Sequence, residues 1–128
     1  MSRTLAVRKL VNSLDRPAAL IARDHTVLFS NRRFRRMLGK SNHDVVGLKL
    51  GSVLECKYSA LDRCRETVVC PYCKLRRLIE LTRSTDEKLS EIAISFAHKS
   101  GAIKRLEITT EKAGQAVLLI LTSLPADV

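Results

Sequence analysis

Three strand-length segments follow one another through the last third of this chain, and they restrict its fold more than any other feature. Within residues 89–98, Ile92, Ile94 and Phe96 alternate with small or polar residues, as on a strand with one buried face. Lys99-Ser100-Gly101 turns the chain into a second alternation on Leu106, Ile108 and Thr110. Ala113-Gly114 turns it again, into the apolar run of residues 116–122. Strands joined by such short turns pair antiparallel. The other end repeats the theme. Residues 18–22 read as a buried strand, Arg23-Asp24-His25 as a tight turn, and residues 26–30 as the hairpin partner.

The segments between and before the hairpins read as helices. Asn31 can cap a helix through Leu38, since its side chain can accept a backbone N–H of the first turn. Phe34, Met37 and Leu38 share a face of that helix, and Gly39 ends it. A further helical turn covers residues 42–46, closed by Gly47. Residues 48–72 are irregular. Leu75, Leu78, Ile79 and Leu81 then recur at helical spacing. At the start, Leu5, Leu10, Val11 and Leu14 suit a short amphipathic helix, which Asp15-Arg16-Pro17 must end because proline cannot continue it. The order predicts an α+β fold, a five-stranded antiparallel sheet with helices on one face. Residues 1–14 form the N-terminal amphipathic helix and residues 15–123 one domain with a cysteine-containing insert at 55–73. Residues 124–128 form a tail or linker.

Four cysteines form the chemical feature: Cys56, Cys64, Cys70 and Cys73, spaced C-x7-C-x5-C-x2-C. A Cys-x-x-Cys pair lets two thiolates grip one ion, and two more complete the set taken by tetrahedral zinc or an iron–sulfur cluster. Arg63, Arg65, Lys74, Arg76 and Arg77 lie close in sequence and offset the charge of four thiolates. A thiol–disulfide switch and inert buried cysteines are the competing readings. The histidine that c-type haem attachment needs after the second cysteine is missing, since Lys74 stands there. His25, His43 and His98 are scattered and read as surface or turn residues rather than ligands.

Charge adds a second feature. Lys and Arg number 23 against 13 Asp and Glu, a formal net charge of +10 that favours acidic partners. Arg32, Arg33, Arg35 and Arg36 cannot all face the core, so most of them form a basic exposed stripe, read either as a solvated helix face or as a surface for nucleic acid or an acidic partner. Aromatic residues make up 4% of the chain and Trp is absent, which leaves few platforms for stacking bases. No apolar run approaches the roughly 18 residues of a membrane helix, and Arg8 and Lys9 interrupt any signal-peptide core, so a cytoplasmic protein without a membrane partner is expected. With no phosphate loop, Gly-x-Ser-x-Gly or His-Glu-x-x-His, the chain is not expected to be an enzyme.

The element order resembles the PAS fold. Residues 14–22, Leu-Asp-Arg-Pro-Ala-Ala-Leu-Ile-Ala, resemble that family's opening strand. Residues 27–34, Val-Leu-Phe-Ser-Asn-Arg-Arg-Phe, resemble its second strand running into an asparagine-led helix. Leu38-Gly39 and Asp44-Val45-Val46-Gly47 resemble the helical turns that close this half. Glu55-Cys56, Cys64 and Cys70-Pro71-Tyr72-Cys73 are similar to a cysteine-bearing bacterial subset, although Arg63 and Arg65 flank Cys64 where glycine is usual. The resemblance implies a sensory module, a homodimer formed through the N-terminal helix and sheet, and output to a kinase, cyclase or DNA-binding region. Zinc or an iron–sulfur cluster at the cysteines would make it responsive to metal or redox state. A zinc-stabilised basic binding module and a PAS interaction domain without cofactor are the alternatives. Ile21, Phe29, Met37, Ile79 and Ile94 are expected to fill the core rather than line a ligand pocket.

Overall fold

The computed structural model describes residues 2–55, 74–98 and 100–124. The elements run α1 (Ser2–Ser13), β1 (Ala18–Ile21), β2 (Val27–Ser30), α2 (Arg32–Leu38), a 3-10 turn (Asn42–Asp44), α3 (Leu50–Val53), α4 (Lys74–Thr85), β3 (Leu89–Ala97), β4 (Ile103–Ala113) and β5 (Ala116–Leu124). The five strands form one sheet in the order β2-β1-β5-β4-β3, and every neighbouring pair is antiparallel. The α+β sheet expected from the turns is therefore present. The hairpins from the two chain ends meet where β1 pairs with β5, with Ala19 opposite Leu119.

Side-chain alternation divides the sheet into two apolar faces. Ala19, Ile21, Val117, Leu119, Leu121, Leu106, Ile108 and Ile94 face a core closed by Phe34 of α2, Leu50 and Val53 of α3, and Leu75 and Ile79 of α4. The helices of the domain gather on this face, as expected. The N-terminal helix takes the other one: Val11 of α1 packs on Ala18 and Leu118, with Leu14, Phe29 and Ile120 beside them. Leu10, counted on the apolar face of α1 from sequence, is instead 53% exposed. Gly39 ends α2 at φ 66°, a left-handed conformation that glycine adopts without strain.

The core expectation holds for Ile21, Ile79 and Ile94, with Met37 packed against them. Phe29 departs from it. Leu20 pairs with Phe29 but Ile21 pairs with Val27, so Leu28 is an extra residue in β2. Such a bulge breaks the period of two. Val27 therefore enters the core while Phe29 joins α1 on the opposite face. The short α3 lies inside the stretch read as irregular. It spans a single turn, and the Lys49 before it supplies no capping bond. Cys56, Cys64, Cys70 and Cys73, the insert after Glu55, and the tail after Leu124 lie outside the described residues.

Candidate functional site

The cysteine segment leaves and re-enters the fold at two anchored points. Glu55, the residue before Cys56, has φ 57°, a left-handed conformation unusual for a side chain other than glycine or asparagine. Its carboxylate is held from two sides. Lys40 Nζ donates to Oε1 at 3.2 Å, and His98 Nε2 lies 3.0 Å from Oε2. The backbone N–H of Ser100 donates to His98 Nδ1 at 3.1 Å and the Ser100 hydroxyl lies 2.8 Å from the same nitrogen, which fixes the ring with Nε2 toward Glu55. His98, read from sequence as a surface or turn residue, thus ties the end of β3 to the point where the cysteine segment begins.

On the far side, α4 begins at Lys74, directly after Cys73. Leu75 and Ile79 bury its inner face against the sheet. Thr82 and Thr110 are fully buried and share a hydrogen bond of 2.5 Å between their hydroxyls, joining α4 to β4. Glu80 accepts from Arg83 Nε at 3.3 Å, and its Oε2 lies 3.0 Å from His25 Nε2 in the β1–β2 turn. The hydrogen bond from Arg83, followed by the one from His25, holds the Glu80 carboxyl below the usual carboxylate range. His25 is a turn residue, as read, but a buried one at φ 70°. His43 is exposed. Among the described residues no three His, Cys, Asp or Glu side chains converge as a metal site. The donor chemistry of the cysteines themselves, four thiols within residues 56–73, matches what zinc or an iron–sulfur cluster takes.

A third feature joins α1 to this body. Asn31 is buried, and every hydrogen-bonding position of its amide is filled. Oδ1 accepts from the N–H of Ala18 at 3.0 Å and of Phe34 at 2.9 Å. Nδ2 donates to the carbonyls of Val11 at 3.0 Å and Arg16 at 2.8 Å. One side chain thus caps α2, starts β1 and holds the last turn of α1. The cap was legible from sequence; the bonds to α1 were not. The α2 arginines divide in two. Arg35 Nη1 donates to the Ser30 carbonyl at 2.6 Å and is partly buried, whereas Arg32, Arg33 and Arg36 are exposed. All four line a groove of about 520 Å³ with Asn12, Leu14 and Asn31.

No helix among the described residues is long and apolar enough to cross a membrane. No curated protein matches the chain. Solved structures do. The Rhodobacter sphaeroides LOV protein is similar over 98% of this chain and 69% of its own, with a TM-score of 0.68 at 13% identity. The PAS domain of Bordetella pertussis BvgS is similar over 98% of this chain and 89% of its own, with a TM-score of 0.67 at 13% identity. A PAS domain from a two-component sensor histidine kinase is similar over 96% and 97% respectively, with a TM-score of 0.56 at 12% identity. At such identities the likeness speaks for the fold. The family model for the PAS fold matches residues 5–112, which takes in most of α1, the asparagine-led α2 and the strands through most of β4. With its antiparallel sheet and its helices placed as described, this chain belongs to the PAS family.

Proposed function

We propose that this chain is a sensory and signal-transducing PAS module, not an enzyme, whose four cysteines respond to metal supply or redox state. The carrying observation is that the whole cysteine set lies between two anchors on one body, Glu55 and the buried Leu75 of α4. A change in what the thiols hold alters the span between those anchors, and α4 is the element able to answer, since it starts at the residue after Cys73. Cys56, Cys64, Cys70 and Cys73 would be the ligands. A bound cluster would supply one-electron redox chemistry, and zinc a fixed four-thiolate clamp without redox change. This chain's own part is to keep the thiols together and to bear α4 on the sheet. The matched PAS domain from a sensor histidine kinase supports a kinase as the output, and the exposed Leu10 and Leu28 support self-association through α1 and the sheet.

Elemental analysis and a visible spectrum, on protein purified without oxygen, test this. Iron with sulfide and thiolate-to-iron absorption, lost in C70S/C73S, is the outcome expected of a cluster sensor. One zinc per chain in a colourless solution favours the structural site of a zinc-stabilised binding module. Four freely reactive thiols, with no metal and no change of fold on oxidation, defeat the proposal and leave a PAS interaction domain without cofactor.

A further inference from the structure

The arginines of α2 do work that the cysteine site does not explain. Arg32 and Arg36 stand four residues apart, with Arg33 three from Arg36, so like charges crowd one helix surface. Such pairs destabilise a helix by a few tenths of a kcal/mol each. The helix contains no acidic residue. Asp15 lies 3.5 Å from Arg33 Nη2, with its own side chain 96% exposed. Among the described residues no ion pair or hydrogen bond holds the side chain of Arg32 or Arg36. Local arrangements that work against stability without a structural return are expected at functional surfaces. Here the crowded charges line a concave groove together with Arg35, Asn31 and, at the end of α1, Asn12 and Leu14.

We propose that this groove docks a carboxylate-rich segment of a partner protein, gripped by Arg32, Arg33 and Arg36. Guanidinium groups pair with carboxylates through two parallel N–H···O bonds, a fit that favours Arg over Lys. The size of the site argues against nucleic acid. A seven-residue helix is about 10 Å long at 1.5 Å per residue. Three exposed arginines on it meet fewer phosphates than the roughly 6–10 contacts of a strongly salt-dependent nucleic-acid binder. Among the described residues the groove lining also contains no aromatic residue on which a base could stack. The site is independent of what the cysteines bind. It lies on the Asn31 joint, so its occupant bears on the attachment of α1.

Fluorescence anisotropy with a short labelled peptide, glutamates flanked by glycines, tests the site on the full chain. The control variant removes the same charge elsewhere: K88Q/K112Q neutralises two exposed lysines on neither wall of the groove. R32Q/R36Q is expected to weaken binding about tenfold or more, and K88Q/K112Q less than about twofold. Both variants change exposed residues, and circular dichroism confirms that both stay folded. Equal losses in the two variants would reduce the effect to net charge and overturn the proposal. So would the absence of peptide binding, or tighter binding of a DNA duplex that R32Q/R36Q abolishes.

Discussion

At Asn31, two functions of one side chain can be separated by exchanging a single group. Asn31→Asp keeps an acceptor for the N–H groups of Ala18 and Phe34 but removes the donor to the carbonyls of Val11 and Arg16, and sets a negative charge against them. Loss of charged or buried hydrogen bonds costs about 1–3 kcal/mol each. The expected result is faster amide exchange in α1 with α2 nearly unchanged, whereas Asn31→Ala loosens both; hydrogen exchange read by mass spectrometry checks this. Acid titration reports two other residues. Hydrogen bonds from Thr26 and then Lys49 lower the Asp24 carboxyl to about 2, and Arg83 and His25 lower that of Glu80. A depressed carboxyl contributes stability above its ordinary pKa and loses it as pH falls through the folded value. The stability of the chain should therefore fall from about pH 4.5 toward 2. D24N/E80Q should flatten that limb in urea titrations across the range, and an unchanged limb would mean that neither contact persists in solution.

Among the elements, α4 links the cysteine segment to the sheet, and its buried Thr82–Thr110 pair is the polar part of that link. Thr82→Val leaves the Thr110 hydroxyl buried without its partner, which costs about 1–3 kcal/mol, while replacing both by Val removes the mismatch. Denaturant unfolding of T82V, T110V and the double variant should show the double recovering most of the loss; simple additivity would mean that the two hydroxyls do not depend on each other. In the sequence Thr110 reads only as part of the alternation with Leu106 and Ile108, and Thr82 does not stand out, because their partnership spans 28 positions. The elements that could be read there share a local cause. The turns at Lys99-Ser100-Gly101 and Ala113-Gly114, the Asn31 cap and the period of the later strands all act within a few residues. What escaped depends on single-residue geometry or on distance. The extra Leu28 moves Phe29 to the other face, α3 is one turn long, and His25 and His98 find Glu80 and Glu55 from 55 and 43 positions away. Of the candidate site, the arginine stripe was legible as charge, but only the fold shows the four arginines lining one groove, with Arg35 tied to Ser30.

Across the whole molecule, a continuous set of contacts runs from the cysteine segment to α1. Cys73 adjoins α4; α4 packs on β4 and β5; and β5 carries Leu119 and Leu121 toward α4's side of the sheet and Leu118 toward α1 on the other. Contiguity alone does not make a signalling path, because a change at one site moves another only if it favours one arrangement of both. A signal from the cysteines should therefore change the protection of α4's first turns and of α1 together. Coupling between such sites is typically about 1–3 kcal/mol, or about 5- to 150-fold in an equilibrium. Hydrogen exchange on reduced protein, and on protein treated with a thiol oxidant or a metal chelator, should show paired changes of that order in the two helices. C70S/C73S should abolish both. A change in α4 with α1 unmoved would send the output through another surface, and the α1–α2 groove would then act on α1 independently of the cysteines.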